Sequence, residues 1–192
     1  MKQIGFDLDN TLVDYSKTCE IYSQINSLPN LNSIKTLRSF LKPNGEETEV
    51  WTTAQAWIYG EGLEFAIVSP GAIKFLERLN SSGWTYYIFS HKTEFTPNFT
   101  GSVPIRASMK EWLNNSKLNS YFGDLNNTFF FNSINEKILG INNAHLDIYV
   151  DDLIKILINP LLKVDKKYLY GDEVNNYPGI TTIRDFRDIK ID

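Results

Sequence analysis

The first predicted strand constrains the fold of this chain more than any other segment. It opens an apolar run at Ile4 and leads into two aspartates one residue apart, Asp7 and Asp9, which Thr11 and further apolar residues follow. Carboxylates among buried apolar side chains are costly unless another group compensates their charge. We expect a metal cation to be that group, and such a site points to phosphoryl chemistry.

The composition restricts the class of protein and its partners. Of the 192 residues, 42% are hydrophobic and 22% are charged, which is typical of one globular domain, with room for a small inserted subdomain. The formal net charge is −4, so the chain lacks the basic excess of proteins that bind nucleic acids or anionic membranes. We therefore expect neither a nucleic acid nor a membrane as a partner.

The cysteine content and the N-terminal segment favour a cytoplasmic protein. Cys19 is the single cysteine, which excludes a disulfide within the chain and disfavours a cysteine-based zinc site. The N-terminus leads directly into a strand, without the basic and apolar regions of a signal peptide. No run approaches the roughly 20 apolar residues that cross a bilayer. The sequence leaves the oligomeric state open.

Apolar segments alternate with helical patterns, which predicts an α/β fold with a mainly parallel sheet flanked by helices. The predicted strands are Gln3–Leu8, Trp84–Phe89, Thr128–Phe131, Leu146–Val150, Tyr168–Tyr170 and Ile180–Ile183. The predicted helices follow Pro70-Gly71, cover Ala107–Asn115 and Ile134–Ile141, and run from a cap at Asp152 to Ile158. The last part of the chain, Tyr168–Asp192, is expected to add edge strands and a helix.

The stretch 15–66 is too long for a simple crossover between strands. Its helical pattern is broken at Leu28-Pro29-Asn30 and at Lys42-Pro43-Asn44-Gly45. We predict that 15–66 forms a small, mostly helical cap inserted after the first strand, and that 1–14 and 67–192 form the α/β core. Three aromatic residues of the insert either line its substrate face or form its core: Trp51, Trp57 and Tyr59.

Reactive polar residues lie at the ends of three predicted strands. In open α/β sheets, ligands bind outside the carboxyl ends of the strands, so these residues are expected to converge on one crevice. Two carboxylates about 4 Å apart repel by roughly 4 kcal/mol at an effective dielectric of 20, and Mg²⁺ is the cation that prefers such oxygen ligands. The converging residues, with one lysine from a preceding helix, are Asp7, Asp9, Ser90, Lys137, Asp151 and Asp152.

The chemistry of this set can be written from the residue types. Asp7 can attack phosphorus when a metal and Lys137 screen its charge. Asp9 can protonate the leaving oxygen and later deprotonate the water that cleaves the aspartyl-phosphate. Ser90 and Thr11 can donate hydrogen bonds to phosphoryl oxygens or position Asp7.

The same residues, in this order, resemble the four motifs of the haloacid dehalogenase-like (HAD) superfamily over about residues 2–158. The resemblance implies a Rossmann-like core and a role for each matched residue. Asp7 is expected to be the nucleophile, Asp9 the general acid and base, and Ser90 and Lys137 the groups that hold the phosphoryl group. The metal ligands implied for Mg²⁺ are Asp7, Asp9 through its backbone carbonyl, Asp151 and Asp152.

Two neighbours of Ser90 extend the predicted site. His91 and Lys92 are predicted to contact the substrate. The alternative is that each is a loop residue whose side chain bonds to the backbone. Lys92 and Lys155 also remain alternatives to Lys137, because Lys137 stands close to Asp151 in the sequence.

The resemblance implies a Mg²⁺-dependent phosphatase that hydrolyses a small phosphorylated metabolite. The presence of Asp9 favours this chemistry over that of the family's dehalogenases. Two alternatives stay open at this point. One is a phosphotransferase or phosphomutase, and the other is a non-catalytic module that binds a phosphorylated ligand or a protein partner.

Overall fold

The computed structural model describes residues 2–96, 102–172 and 176–191. Its eight strands are β1 (Gln3–Phe6), β2 (Val13–Asp14), β3 (Ile67–Val68), β4 (Thr85–His91), β5 (Thr128–Phe131), β6 (Ile148–Asp151), β7 (Lys166–Tyr170) and β8 (Ile180–Ile183). Six of them form one sheet in the order β5-β4-β1-β6-β7-β8, and every neighbouring pair in it is parallel. The predicted α/β fold with a parallel sheet is confirmed.

Helices connect these strands. They are α1 (Ser16–Ile25), α2 (Ile34–Leu41), α3 (Glu49–Ile58), α4 (Ala72–Ser81), α5 (Ile105–Asn115), α6 (Asn119–Phe122), α7 (Ile134–Asn143) and α8 (Ile154–Leu157), with 3₁₀ turns at Glu61–Phe65 and Phe186–Asp188. Within residues 2–96, 102–172 and 176–191, no helix has both the length and the apolar character that crossing a membrane requires.

Strand β1 lies at the centre of the sheet, and its two faces pack on different apolar clusters. Ile4 and Phe6 belong to the cluster that includes Phe75 of α4 and Met109 of α5. The other cluster joins Phe89 and Tyr149, on the strands beside β1, to the apolar residues of α7 and α8. Because a parallel sheet is covered on both faces, its central strand reads as an almost continuous apolar run.

The insert contains α1, α2, α3 and the first 3₁₀ turn. Its two ends are joined by the antiparallel pair β2 and β3, in which Val13 lies opposite Val68. Trp51 belongs to the buried apolar cluster, and Trp57 and Tyr59 are partly buried and pack against that cluster, which favours a core position over a substrate face for these aromatic residues. The division into a cap at 15–66 and a core stays a prediction. Met1, residues 97–101, residues 173–175 and Asp192, all inside the predicted core, lie outside the described residues.

Three local predictions need correction. Strand β1 ends at Phe6, because the Leu8 carbonyl already accepts the amides of the following turn. Helix α8 begins at Ile154, and Asp152 does not cap it; the neighbouring Asp151 accepts the Leu153 amide at 2.8 Å instead. In place of the helix expected within Tyr168–Asp192, the described residues of this range contain a short 3₁₀ turn at Phe186–Asp188.

A methyl group at Gly5 tests the packing of β1. A Cβ there would lie 2.5 Å from Leu146 Cδ1 and 3.0 Å from ring atoms of Phe89 and Tyr149. Overpacking of a dense core costs about 1–3 kcal/mol, so Gly5→Ala should lower the free energy of unfolding, measured with urea, by that amount. An unchanged free energy of unfolding would contradict the packing described for this face.

Candidate active site

The turn after β1 sets the positions of the first acidic residues. The Asp7 amide donates to the Val150 carbonyl at 2.8 Å, which extends the pairing of β1 with β6 by one residue. The chain then turns sharply, and Asn10 adopts a left-handed conformation with φ 58°. Asparagine tolerates this conformation better than most residues, because its short polar side chain can bond locally.

Lys137 of α7 bridges carboxylates from the two central strands. Its Nζ lies 2.5 Å from Asp7 Oδ1 and 2.8 Å from Asp151 Oδ2. Asp151 Oδ2 also accepts a hydrogen bond from the Tyr149 hydroxyl at 2.9 Å. Lys137, Asp7 and Asp151 are all buried, so their mutual attraction is screened little by water.

The electrostatics of the group show a shortage of positive charge. Burial raises the pKa of Asp7 to about 7; the Lys137 ammonium opposes the rise, and the charges of Asp151 and Asp9 add to it. Burial also raises the pKa of Asp152 well above its usual range, and Asp7 and Asp151 add to that rise. For Lys137, burial lowers the pKa, but Asp151 and Asp7 outweigh it and the net shift is upward. One ammonium thus contacts two of the three carboxylates, and Asp152 has no ion pair with it.

The donor set fits a hard divalent cation. Asp7, Asp151 and Asp152 each offer a carboxylate oxygen, and these oxygens all lie within 4.8 Å of one another. Carboxylates alone, without nitrogen or sulfur donors, are ligands suited to Mg²⁺. The Asp9 carboxylate does not belong to this group of three, and the predicted ligand role of its backbone carbonyl stays a prediction.

Two of the predicted phosphate contacts are buried hydroxyls. Ser90 lies inside β4 rather than after it, and its Oγ has no hydrogen-bond partner among the described residues. Thr11 Oγ1 is also buried without a hydrogen-bond partner among the described residues, and the same holds for the hydroxyls of Thr52 and Thr128. Since buried polar groups are normally hydrogen-bonded, the hydroxyls of Ser90 and Thr11 have donor capacity left for a ligand.

The neighbours of Ser90 take different positions. The His91 ring is exposed, and its Nε2 lies 3.3 Å from the Asn132 carbonyl oxygen. Lys92 is buried, and its Nζ lies 3.0 Å from Asp9 Oδ2. Of the three candidate lysines, Lys137 contacts Asp7 and Asp151, Lys92 contacts Asp9, and Lys155 is exposed.

Sequence reasoning missed two tyrosines that bind the acidic residues. The Tyr15 hydroxyl donates to Asp9 Oδ1 at 2.5 Å, and nothing in the sequence near Tyr15 indicates this contact. Tyr149 binds Asp151, and here a signal existed. Residues two apart in a strand share a face, so Tyr149 had to lie on the side of the sheet that Asp151 occupies.

Comparison with known proteins supports the architecture. No protein-family model matches the sequence, and no curated protein matches it. A HAD-superfamily hydrolase from Geobacter sulfurreducens has a TM-score of 0.60 at 13% identity, over 98% of this chain and 94% of its own. One from Ehrlichia chaffeensis has a TM-score of 0.54 at 20% identity, over 98% and 95%. This chain has the HAD-like fold.

A third solved structure with the HAD-like fold contains ligands. It is a HAD-family hydrolase from Deinococcus radiodurans with bound phosphate and sodium, with a TM-score of 0.57 at 10% identity, over 95% of this chain and 91% of its own. At such identities the likeness establishes the fold, and the chemistry has to be argued from the residues.

Replacing Lys137 tests the charge balance of the site. Lys137→Met leaves Asp7 and Asp151 buried without their shared cation, and breaking a buried ion pair costs about 3–5 kcal/mol. We expect the free energy of unfolding of the metal-free protein, measured with urea at pH 8, to fall by this amount. Lys155→Met, at an exposed lysine, should change it by less than about 0.5 kcal/mol.

A double variant sharpens the same test. Adding Asp7→Asn to Lys137→Met removes one of the uncompensated charges. The double variant should therefore lose less free energy of unfolding than the sum of the losses of the two single variants. Additive losses, or equal losses at Lys137 and Lys155, would contradict a shared buried cation.

Proposed function

We propose that this protein is a Mg²⁺-dependent phosphatase that hydrolyses a small phosphorylated metabolite through an aspartyl-phosphate at Asp7. The observation that carries the proposal is the arrangement around Asp7. Its carboxylate lies against the Lys137 ammonium, in a group of three carboxylates whose oxygens lie within 4.8 Å. A group of this composition, with Asp7 and Asp151 buried and Asp152 half-buried, favours a bound cation and an anionic substrate over a structural role.

The residues that would hold Mg²⁺ are Asp7, Asp151 and Asp152. When bound, the ion would offset the charge of these carboxylates and of the phosphate, which repel each other without it. The phosphate and sodium bound by the Deinococcus radiodurans hydrolase support the pairing of an anion with a cation on this fold. Mg²⁺ itself is inferred from the donor chemistry.

The chain's own residues account for both halves of the reaction. In the first half, an Asp7 oxygen bonds to phosphorus, the bond from phosphorus to the leaving oxygen breaks, and Asp9 donates a proton to that oxygen. In the second half, a water oxygen bonds to phosphorus as Asp9 takes the water's proton, and the bond between phosphorus and Asp7 breaks. Lys137 and the hydroxyls of Ser90 and Thr11 are the groups that would bind the phosphoryl oxygens.

Hydrolysis of p-nitrophenyl phosphate tests the proposal. We expect Mg²⁺-dependent phosphate release that EDTA abolishes and added Mg²⁺ restores. Asp7→Asn should lower kcat by at least about 1,000-fold, because it removes the nucleophile. The matched control is Asp124→Asn, which changes an exposed aspartate four residues before β5 and should leave kcat within about two-fold.

Three outcomes would count against this function. Activity that survives EDTA or Asp7→Asn would exclude the mechanism. Tight binding of phosphate without turnover of any phosphate ester would favour a non-catalytic module. In the presence of an added alcohol, release of p-nitrophenol in excess of phosphate would favour a phosphotransferase.

Binding of Mg²⁺ has its own readout in thermal unfolding. A ligand at 100 times its dissociation constant stabilises the folded state by about 2.7 kcal/mol, which corresponds to roughly 5–10 °C in Tm for a chain of this size. We expect such a rise with MgCl₂ and none with NaCl at the same ionic strength. Asp152→Asn should abolish most of the rise; an equal rise in that variant would exclude Asp152 as a ligand.

A further inference from the structure

We infer that Tyr15 and Lys92 are positioning residues that fix the Asp9 carboxylate for proton transfer during phosphate ester hydrolysis. The inference rests on the proposed function. It assigns Lys92 a role different from the substrate contact predicted from the sequence, and it brings the insert into the site through Tyr15.

Each oxygen of the Asp9 carboxylate contacts a buried polar group, a hydroxyl at one oxygen and an ammonium ion pair at the other. The Tyr15 hydroxyl binds Oδ1 at 2.5 Å, and Lys92 Nζ binds Oδ2 at 3.0 Å. The side chain of Lys92 is 2% exposed, whereas that of Asp9 is 19% exposed. The two donors are therefore withdrawn from water, and the carboxylate that they hold still faces it.

Lys92 is anchored on several sides. The Arg106 guanidinium donates to the Lys92 carbonyl at 2.7 and 3.1 Å and to Asn132 Oδ1 at 2.8 Å. The Lys92 amide donates to the Phe131 carbonyl at 3.1 Å. Its Nζ also lies 3.9 Å from the centre of the Tyr59 ring, a cation–π contact that holds the ammonium in place.

Tyr15 is held by the same aromatic neighbour. Its ring packs edge-on against Tyr59, with 5.5 Å between the ring centroids and 89° between the planes. Tyr15 immediately precedes α1 and Tyr59 immediately follows α3, so both come from helix ends of the insert. The insert thus supplies Tyr15, which donates to Asp9, and Tyr59, whose ring packs against both Tyr15 and Lys92.

Fixing a carboxylate in this way matters for proton transfer. A general acid or base must lie within hydrogen-bond reach of the proton that it moves, and small misplacements cost much of the rate. A carboxylate can accept about four hydrogen bonds, so the two donors orient Asp9 and leave capacity for the substrate or water. Loss of a donor should therefore harm the proton transfer by Asp9 more than substrate binding.

A matched pair of substrates separates these effects. Phenyl phosphate and p-nitrophenyl phosphate have similar shapes, but phenol is the weaker acid and its departure depends more on a proton from Asp9. We expect Tyr15→Phe to lower kcat/KM for phenyl phosphate about ten-fold more than for p-nitrophenyl phosphate. The inhibition constant of inorganic phosphate, which reports binding, should change by less than about two-fold.

The control and a second variant keep the test independent of folding. Tyr22→Phe removes a hydroxyl from another buried tyrosine of the insert, on α1, and should leave the ratio of the two kcat/KM values unchanged. Lys92→Met should reproduce the selective loss. In an Asp9→Asn background, Tyr15→Phe should have no further effect on that ratio.

The outcomes distinguish this inference from the proposed function. If the wild-type protein hydrolyses neither ester, the proposed function fails. If it hydrolyses both, and Tyr15→Phe and Lys92→Met lower the two kcat/KM values equally or leave them unchanged, the positioning roles are overturned while the proposed function stands. The same selective loss in Tyr22→Phe would also overturn them.

Discussion

The ammonium of Lys137, shared by Asp7 and Asp151, is the interaction on which the rest of the site depends. Along the chain, Lys137 is 130 positions from Asp7 and 14 positions from Asp151. The three residues meet because β6 and β1 are neighbours at the centre of the sheet. Helix α7 sets Lys137 against both strands. The parallel sheet therefore places these carboxylates together at the carboxyl ends of its central strands. A single buried lysine compensates part of their charge.

Each of two buried lysines serves its own carboxylates. Lys137 binds Asp7 and Asp151, whereas Lys92 binds Asp9, which lies outside the group of three potential metal ligands. This division agrees with the two tasks that the proposed reaction requires. One group of residues holds a cation and the attacking oxygen, and a separate group holds the residue that moves protons.

Much of this arrangement could be predicted from local patterns. Apolar runs that end in aspartates located β1 and β6, and the bounds of Thr128–Phe131 and Ile180–Ile183 agree with the structure. The convergence of Asp7, Lys137 and Asp151 follows from parallel strands. The Tyr15 and Lys92 contacts to Asp9 could not be predicted, because they depend on how the insert and the residues after β4 meet. The prediction that Asp152 is the N-cap of the following helix was wrong, because either of the two adjacent aspartates could accept an amide at the start of that helix.

The central claim is that Asp7 carries the phosphoryl group during turnover. Acid quenching of the protein during hydrolysis of a phosphate ester, followed by peptide mass spectrometry, tests it most directly. The account predicts that the peptide containing Asp7 gains the mass of one phosphoryl group, and that Asp7→Asn lacks this species. A phosphoryl group on another residue, or turnover with no phosphorylated peptide under conditions that preserve acyl phosphates, would contradict it.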